Sequence, residues 1–484
     1  MTSLDLRPAI PALIVAVAGL VALLAQAFTP KGKRAPVALL SASGLTAALA
    51  AVLLMASSPL RGRGAVLGGA LVADDYALFL QALVLGVGIV TVLLSPSYLR
   101  ENGEDRGEYY TLILFAVVGM MGLVSATDLI SLFVALETMS VALYALAGLD
   151  RRRPESQEAA IKYFITGAFS SAFLLYGVAL LYGLSGSTSI DRIGAALVTM
   201  GPGGHPVALL GVGLLLVGFG FKVASVPFHM WTPDVYEGAP TTVTAFMSAG
   251  VKAAAFGALL RVFGHGLAPL AADWQPAMAV LALVTMVVGN LGALAQTNVK
   301  RMLAYSSVAH AGYMLTAAVA APRLAAAAIL FYLVGYAAVN LGAFGIMAAL
   351  SREGREPLSL ADMAGLASRR PALAATFTVF LISLTGVPVS AGFVGKFYLF
   401  AAAVNAGYVS LAVAGVLMSV VSAYYYLRVV VVMYMKEPAG DDTWAAIAPS
   451  SSLALAVSLA VVLGLGVFPG PALSLARRAA QSLL

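Results

Sequence analysis

The sequence comprises 484 residues, of which 61% are hydrophobic and only 10% are charged, and its formal net charge at pH 7 is +6. Soluble domains have roughly 45 to 50% apolar and about 25% charged residues, so this composition excludes a soluble globular protein and predicts a polytopic membrane protein. The chain has no cysteine, which excludes disulfides, thiolate-bound iron–sulfur clusters and cysteine-ligated zinc. Its four histidines are scattered without metal-ligand spacing, so we predict neither a metal site nor a redox cofactor in this chain.

Apolar segments of about 20 residues recur along the whole sequence, each long enough to cross a hydrocarbon core of roughly 30 Å. Proline, glycine and charge clusters separate these segments, which we number as spans 1 to 14. They lie near residues 8–28, 36–56, 75–95, 109–126, 128–149, 158–184, 206–235, 240–263, 276–296, 300–320, 324–350, 371–405, 408–435 and 446–468. We expect span 1 to be a retained membrane helix, although Ala25-Gln26-Ala27 resembles a signal cleavage site. The predicted fold class is an all-α polytopic membrane protein with about 14 transmembrane helices.

The basic residues of the loops orient these spans. If loops alternate between sides, those after odd-numbered spans hold 17 of the 28 lysine and arginine residues, and the termini with the other loops hold 8. The positive-inside rule then places the first set in the cytoplasm, and both termini in the periplasm of a bacterial inner membrane. Three lysines stay inside the membrane: Lys222, Lys252 and Lys396.

A glutamate joins these lysines at membrane depth. Counted from the ends of their spans, Glu137 and Lys396 lie roughly 14 Å deep and Lys252 roughly 18 Å deep, while Lys222 lies close to Pro227. An ionised side chain at the membrane centre costs about 2.5 to 3.5 kcal/mol on insertion scales. Four such residues therefore require a function or a set of partners.

Two interpretations of the intramembrane charges stay open. In the first, each charge forms a static ion pair or extends to a membrane interface. In the second, the lysines exchange protons, because desolvation disfavours the charged form of a lysine. Four charges at similar depth favour proton exchange. Glu137 is the candidate modulator, since a carboxylate favours the charged form of a nearby lysine, and we predict that it pairs with Lys222.

Helix-breaking residues accompany two of the lysines. Span 7 reads FKVASVPFHMWTPDVYEGAP around Lys222, and span 12 reads SLTGVPVSAGFVGKFYLF, with Gly386 and Pro388 ahead of Lys396. Discontinuous helices at matching positions in two halves are typical of ion paths in transporters. Spans 4–8 and 9–13 would then form two five-helix repeats, the second inverted because five is odd. The predicted domains are residues 1–108 (spans 1–3), 109–265 (first repeat), 266–436 (second repeat) and 437–484 (C-terminal helix).

Polar residues between the two breaks are candidate proton relays. His310 lies well inside span 10, and its unperturbed pKa is near neutrality. Lys300 and Lys162 lie at span starts, where a solvated helix end is an alternative to proton entry. Spans 10 and 11 add further polar side chains, which commonly only join membrane helices by hydrogen bonds: Tyr305, Ser306, Ser307, Tyr332, Tyr336 and Asn340.

No energy source is visible in the sequence. Moving one proton against 100 mV costs about 2.3 kcal/mol. The segment GFVGK at Gly392–Lys396 lacks the spacing of a phosphate-binding loop, and Phe397 replaces its hydroxyl residue. Another ion gradient or a partner subunit must therefore drive transport.

Five ordered motifs carry a resemblance to a known family. They read LFVALETMSVALYAL, AIKYFITGAFSSAFLLYG, FKVASVPFHMWTPDVYEGAP, NVKRMLAYSSVAHAGYML and GVPVSAGFVGKF. Together they resemble the antiporter-like subunits of respiratory complex I, the NADH:quinone oxidoreductase, from about residue 75 onward. Within that family, WTPDVYEGAP and the lysine at 396 favour the subunit N branch.

The resemblance implies a membrane-arm subunit in which Glu137 and Lys222 form one half-channel, Lys252 connects, and Lys396 lies on the exit side. It also implies that NADH, flavin, iron–sulfur clusters and quinone bind in partner subunits. Its expected partners are other membrane-arm subunits and lipid, and nucleic acid is not expected. The alternatives are a subunit of a multisubunit cation/proton antiporter, which shares the fold, and a passive scaffold.

Overall fold

The structure is a computed structural model that describes Leu6 and residues 9–30, 34–57, 67–320, 322–438 and 447–483. Within these residues the chain is helical throughout, with only isolated backbone bridges between loops. The helices of the first half are α1 (Ile10–Phe28), α2 (Ala35–Ser57), α3 (Asp75–Glu101), α4 (Gly107–Ser125), α5 (Leu129–Ala147), α6 (Pro154–Ser185), α7 (Ile190–Thr199), α8 (His205–Val223), α9 (Trp231–Gly238), α10 (Thr241–Phe246) and α11 (Lys252–Arg261). Those of the second half are α12 (Ala271–Leu294), α13 (Val299–Ala318), α14 (Pro322–Ala349), α15 (Leu366–Arg369), α16 (Pro371–Thr385), α17 (Ala391–Asn405), α18 (Val409–Met435), α19 (Pro449–Val467) and α20 (Gly470–Ser482).

The helices agree with the predicted spans. Twelve helical segments of the described chain are long and apolar enough to cross a membrane. The less apolar α13 and the paired short helices α16 and α17 occupy the remaining predicted spans, 10 and 12. The all-α membrane fold is therefore confirmed. Five residues of the loop-charge count lie outside the described residues: Arg7, Lys31, Lys33, Arg61 and Arg63.

Two amphipathic helices were not predicted. The 10-residue α7 lies in the connection between α6 and α8, and the 13-residue α20 follows α19 in what we predicted as a single C-terminal helix. Both carry charged residues on one face and buried apolar residues on the other. Neither contains the long uninterrupted apolar run by which a membrane span is recognised.

The break in span 7 separates α8 from α9. Helix α8 ends at Val223, and Ala224 adopts a left-handed conformation with φ of 62°. Freed backbone groups find partners nearby, because the indole of Trp231 donates to the carbonyl of Phe221 at 3.1 Å and the amide of Val226 donates to Thr285 Oγ1 at 2.9 Å. A broken helix inside a membrane is stable only when its backbone groups are satisfied in this way.

The break in span 12 separates α16 from α17. Gly386 ends α16 with φ of 91°, a conformation that favours glycine. The hydroxyl of Ser390 caps α17 by accepting from the amide of Phe393 at 3.4 Å. Both predicted breaks are therefore present.

The two predicted repeats share a local geometry. Asp128 caps the start of α5 and pairs through its backbone with Ser189, in the loop after α6. Asn298 caps the start of α13 and pairs in the same way with Ser359, in the loop after α14. These helices are the second members of the predicted repeats, so the match supports the repeat. The domain boundaries stay a prediction.

The centre of the bundle is the helical segment Thr241–Gly266, in which all residues of the most apolar 18-residue stretch are buried. It contains α10 and α11, joined by a π-helical turn at Met247–Val251. Lys252 follows that turn directly. π-Turns within longer helices are frequent at functional sites, because they widen the helix and redirect side chains.

Candidate proton-transfer site

Lys222 lies beside Glu137 without a direct ion pair. Its ammonium is buried and donates to Ser140 Oγ at 2.9 Å, while the Glu137 carboxylate accepts from Ser171 Oγ at 2.5 Å. Glu137 and Ser140 are one turn apart on α5, which places their Cβ atoms about 5 to 6 Å from each other. Because Ser140 is the hydrogen-bond partner of Lys222, the nearby carboxylate acts electrostatically on this lysine without touching it. Their pairing as a functional unit stays a prediction.

Glu137 is less enclosed than its depth suggested. The side chain is half-buried in the isolated chain, because α5 is covered by other helices of this chain on one side only. Lys222, by contrast, is surrounded by the rings of Phe221, Tyr144 and Tyr163, with Nζ 5.3, 5.8 and 6.0 Å from their centroids. The lysine is therefore the shielded member of the two.

Lys252 lies at the centre of the bundle without an acidic partner in the described chain. Its ammonium donates to the carbonyl of Ser307 and, at 2.5 Å, to the Ser307 hydroxyl. Tyr336 donates to the same hydroxyl at 2.8 Å, and its ring centroid lies 5.5 Å from Lys252 Nζ. Neutral dipoles and an aromatic ring thus take the place of a counter-ion. Because no fixed negative charge holds Lys252 in its charged form, this lysine can gain and lose a proton.

His310 lies between Lys252 and Lys396 along α13. Its Nδ1 hydrogen-bonds with the hydroxyl of Tyr332, and its Nε2 lies 3.2 Å from the hydroxyl of Tyr426. Both ring nitrogens therefore have oxygen partners, as a proton relay requires. The relay role itself stays a prediction.

Lys396 reaches back to the helix break. Its ammonium donates to the carbonyls of Leu384 and Thr385 at 2.9 and 3.0 Å, and to Ser419 Oγ at 3.2 Å. These carbonyls end α16, where the helix dipole attracts a positive charge. Lys222 lies in the last turn of α8, so each break places a lysine at the C-terminal end of its first half-helix.

A side branch of hydrogen bonds near His310 was not predicted. Tyr425 donates to Asn290 Oδ1 at 3.0 Å, and Asn290 Nδ2 donates to the hydroxyl of Tyr313 at 3.1 Å. The ring of Tyr313 lies 4.7 Å from Lys396 Nζ. Asn290 stands in an otherwise apolar stretch, and Tyr425 is the middle of three consecutive tyrosines. Both patterns also fit simple helix packing, so the sequence does not distinguish these residues.

A buried ionic cluster forms around Glu356, which sequence reasoning missed. This carboxylate accepts from Thr241 Oγ1 at 2.8 Å and from the hydroxyl of Tyr98, and it pairs with Lys300 at 3.1 Å and Arg153 at 3.3 Å. We name these five residues the Glu356 cluster. It joins α3, α10, α13 and the loops before α6 and α15.

The cluster corrects the expectation for Lys300. The sequence predicts this lysine at a helix start that is either solvated or a proton entry. Its side chain is in fact completely buried, and besides Glu356 it contacts the carbonyl of Ala239 at 2.7 Å. The solvated-end interpretation is wrong, because a carboxylate and a free helix-break carbonyl compensate the buried charge.

Glu356 stays ionised in this setting. Burial alone would raise the pKa of its carboxyl, but the charges of Lys300 and Arg153 and the hydrogen bonds from Tyr98 and Thr241 lower the pKa to about 2. In the same pair of opposite charges, the carboxylate raises the pKa of the Arg153 guanidinium against the effect of burial. Glu356 and Arg153 are therefore both charged at neutral pH.

Arg261 requires a similar correction. Arg261 lies at the end of predicted span 8 and is one of the eight basic residues that the sequence assigns to the termini and the second set of loops. Its side chain is instead buried and binds Asp74 through two hydrogen bonds of 2.9 and 3.0 Å. Its guanidinium also lies 5.0 Å from the ring centroid of Tyr76. Asp74 caps the start of α3 and binds the guanidinium through both carboxylate oxygens, which compensates for the burial of the Arg261 charge. The sequence alone does not reveal this partner.

Lys162 is accessible and paired. Its ammonium lies 2.5 Å from Glu158 and 2.6 Å from Asp234, and 42% of its side chain is exposed. Asp234 also forms an ion pair with Arg301, with an N–O distance of 2.8 Å. Among the described residues no group of three or more histidines and acids is arranged to hold a metal ion.

Replacing Lys162 by methionine should change stability by no more than about 1 kcal/mol, because exposed ion pairs are screened by solvent. Thermal unfolding of the purified assembly measures this. A much larger loss would show that Lys162 is a structural anchor rather than an accessible charged group.

A family model and full-length relatives of known family match this sequence. Residues 126–422 match the family model described as NADH:quinone oxidoreductase/Mrp antiporter, transmembrane region. NADH-quinone oxidoreductase subunit N of Trichlorobacter lovleyi is 44% identical over 99% of this chain and 98% of its own length. The subunit N of Chloroflexus aggregans is 45% identical over 98% and 97% of the two chains.

Solved structures agree. A chain of respiratory complex I from Thermus thermophilus with bound aureothin is 38% identical, with a TM-score of 0.82 over 96% of this chain and 98% of that chain. A chain of the Mrp complex from Dietzia has a TM-score of 0.86 over 100% and 98%, but only 22% identity. The second likeness shows the fold alone.

Proposed function

Since this chain belongs to the subunit N family of the NADH:quinone oxidoreductases, we propose that it carries protons across the membrane through Glu137, Lys222, Lys252 and Lys396. It is a membrane-arm subunit of respiratory complex I and works beside other membrane-arm subunits. Quinone reduction in partner subunits drives the transport. The complex lies in the bacterial inner membrane, with both termini of this chain in the periplasm.

One observation carries the proposal: three buried lysines have no carboxylate within ion-pair distance among the described residues. An unpaired ammonium at membrane depth is costly, so a modest change of nearby charge decides whether it holds its proton. Hydroxyls and the imidazole of His310 lie between Lys252 and Lys396. Between Lys222 and Lys252 the proposal requires a chain of water molecules.

The electron carriers belong to the partners. The absence of cysteine means that this chain cannot hold an iron–sulfur cluster through thiolates. NADH, flavin, iron–sulfur clusters and quinone are therefore assigned to other subunits, and this subunit takes part in the translocase reaction without redox chemistry of its own. The cation/proton antiporter alternative rests on fold likeness at 22% identity, against subunit N relatives at 44 and 45%.

Replacing Glu137 by glutamine in the assembled complex tests the proposal. Glutamine keeps the shape of the side chain but removes the carboxylate charge that favours the protonated form of Lys222, so proton transfer at Lys222 should slow by about tenfold or more. Protons transported per electron in proteoliposomes, measured with NADH oxidation, report the change. Glu108→Gln, an exposed glutamate in the first turn of α4, is the matched control. Unchanged pumping in Glu137→Gln would favour the passive scaffold.

A further inference from the structure

A long cleft lies at the side of the bundle, and none of the buried lysines lines it. It has a volume of about 430 Å³ and is walled by α2, α3, α14, α19 and α20. Along α3 its lining runs from Asp75 to Val90, a length of roughly 22 Å at 1.5 Å per residue. The lining is apolar with few exceptions, so water is a poor occupant.

The exceptions are two charged residues and one hydroxyl. Asp75 begins α3, and Arg478 lies on the amphipathic helix α20. Neither has an ion-pair or side-chain hydrogen-bond partner among the described residues, although their charges are opposite and line the same cleft. Ser458 is 2% exposed, and its hydroxyl also has no partner. A bound molecule with a charged headgroup and an apolar part would satisfy both charges.

We propose that this cleft holds one phospholipid with an ammonium and a phosphate in its headgroup. The phosphate binds Arg478, the ammonium binds Asp75, and an acyl chain lies along α3. A phosphate pairs with an arginine and an ammonium pairs with a carboxylate, so the presence of both residues in one cleft selects a zwitterionic headgroup over an anionic one. The shape supports this occupant, because a narrow apolar cleft of this length matches a chain rather than a compact ligand.

Gly86 provides a direct test. It lines the cleft, and a Cβ added there would meet no atom within 4 Å, so Gly86→Leu places a branched side chain in the cleft from a position where the backbone has room for one. Gly464→Leu on α19 makes the same exchange at an equally open position that does not line the cleft. Arg478→Gln removes the phosphate-binding charge from an exposed position and so leaves the fold intact.

The assembled complex would be purified, washed in mild detergent and exposed to vesicles of equal phosphatidylethanolamine and phosphatidylglycerol, and retained lipid counted by native mass spectrometry. We expect one phosphatidylethanolamine on this subunit in the wild type and in Gly464→Leu, an at least tenfold loss of occupancy in Gly86→Leu, and loss of headgroup preference in Arg478→Gln. Equal retention by Gly86→Leu and wild type, a preference for phosphatidylglycerol, or a neighbouring subunit's side chains filling the cleft in a map of the complex would each overturn the proposal.

Discussion

Replacing Lys252 by methionine is expected to stop proton transfer through this subunit, with a loss of about 10²-fold or more, because a positioned proton-transfer group typically contributes that much. Methionine keeps the length and apolar character of the lysine side chain, so the buried site of Lys252 stays filled. The ammonium, and with it the two hydrogen bonds to Ser307, is lost. Protons transported per electron, and the rate of NADH oxidation, should both fall in proteoliposomes.

Lys436 supplies the matched control. It follows α18, is exposed, and lies outside the buried path, so Lys436→Met makes the same chemical change without touching proton transfer. Both variants should assemble to the same amount of complex. If Lys252→Met assembles and pumps like Lys436→Met, Lys252 is a structural residue and the path does not run through the centre of the bundle.

The intramembrane lysines could be predicted because charged residues are costly and therefore rare in membrane-spanning segments. Lys222 and Lys396 stand in apolar runs next to breakers, and Lys252 stands in an apolar run of its own, so composition and spacing alone identified them. The helix breaks were predictable for the same reason, since proline and glycine act locally. Both features depend on residues that are close together along the chain, so the sequence was sufficient to predict them.

Glu356 could not be predicted, because its partners come from distant parts of the chain. It lies in the loop SREGREP, among Arg352, Glu353 and Arg355, and looks like one more solvated loop charge. Only the fold brings Arg153 and Lys300 to it. No local pattern distinguishes a loop carboxylate that will be buried from one that stays in water.

The Glu356 cluster yields the second large effect, which is on stability rather than on transport. Glu356→Gln keeps the shape of the side chain but leaves Lys300 and Arg153 without the charge that compensates their burial. Removing one partner of a buried ion pair typically costs about 3 to 5 kcal/mol. We therefore expect a lower melting temperature and less assembled complex. Glu353→Gln, in the same loop with 79% of its side chain exposed, should change stability by no more than about 0.5 kcal/mol.

A double replacement separates lost charge from lost packing. Combining Glu356→Gln with Lys300→Gln removes both members of the pair that lies 3.1 Å apart. It should recover part of the stability lost in Glu356→Gln, because no unpaired buried lysine remains and Arg153 is 26% exposed and can contact water. If the double variant is less stable than Glu356→Gln by the full cost of Lys300→Gln alone, the two residues are not coupled.

The pH dependence gives an independent check on the same cluster. Because the pKa of Glu356 falls from 4.5 to about 2 on folding, its contribution to stability is complete above pH 4.5 and is lost as the pH falls towards 2. Glu356→Gln has no proton to bind at this position. The difference in unfolding free energy between wild type and Glu356→Gln should therefore be constant from pH 7 to about pH 5 and shrink at lower pH. A difference that stays constant down to pH 3 would mean that the carboxyl group is not held ionised by Lys300 and Arg153, and that the cluster stabilises this end of the bundle through packing alone.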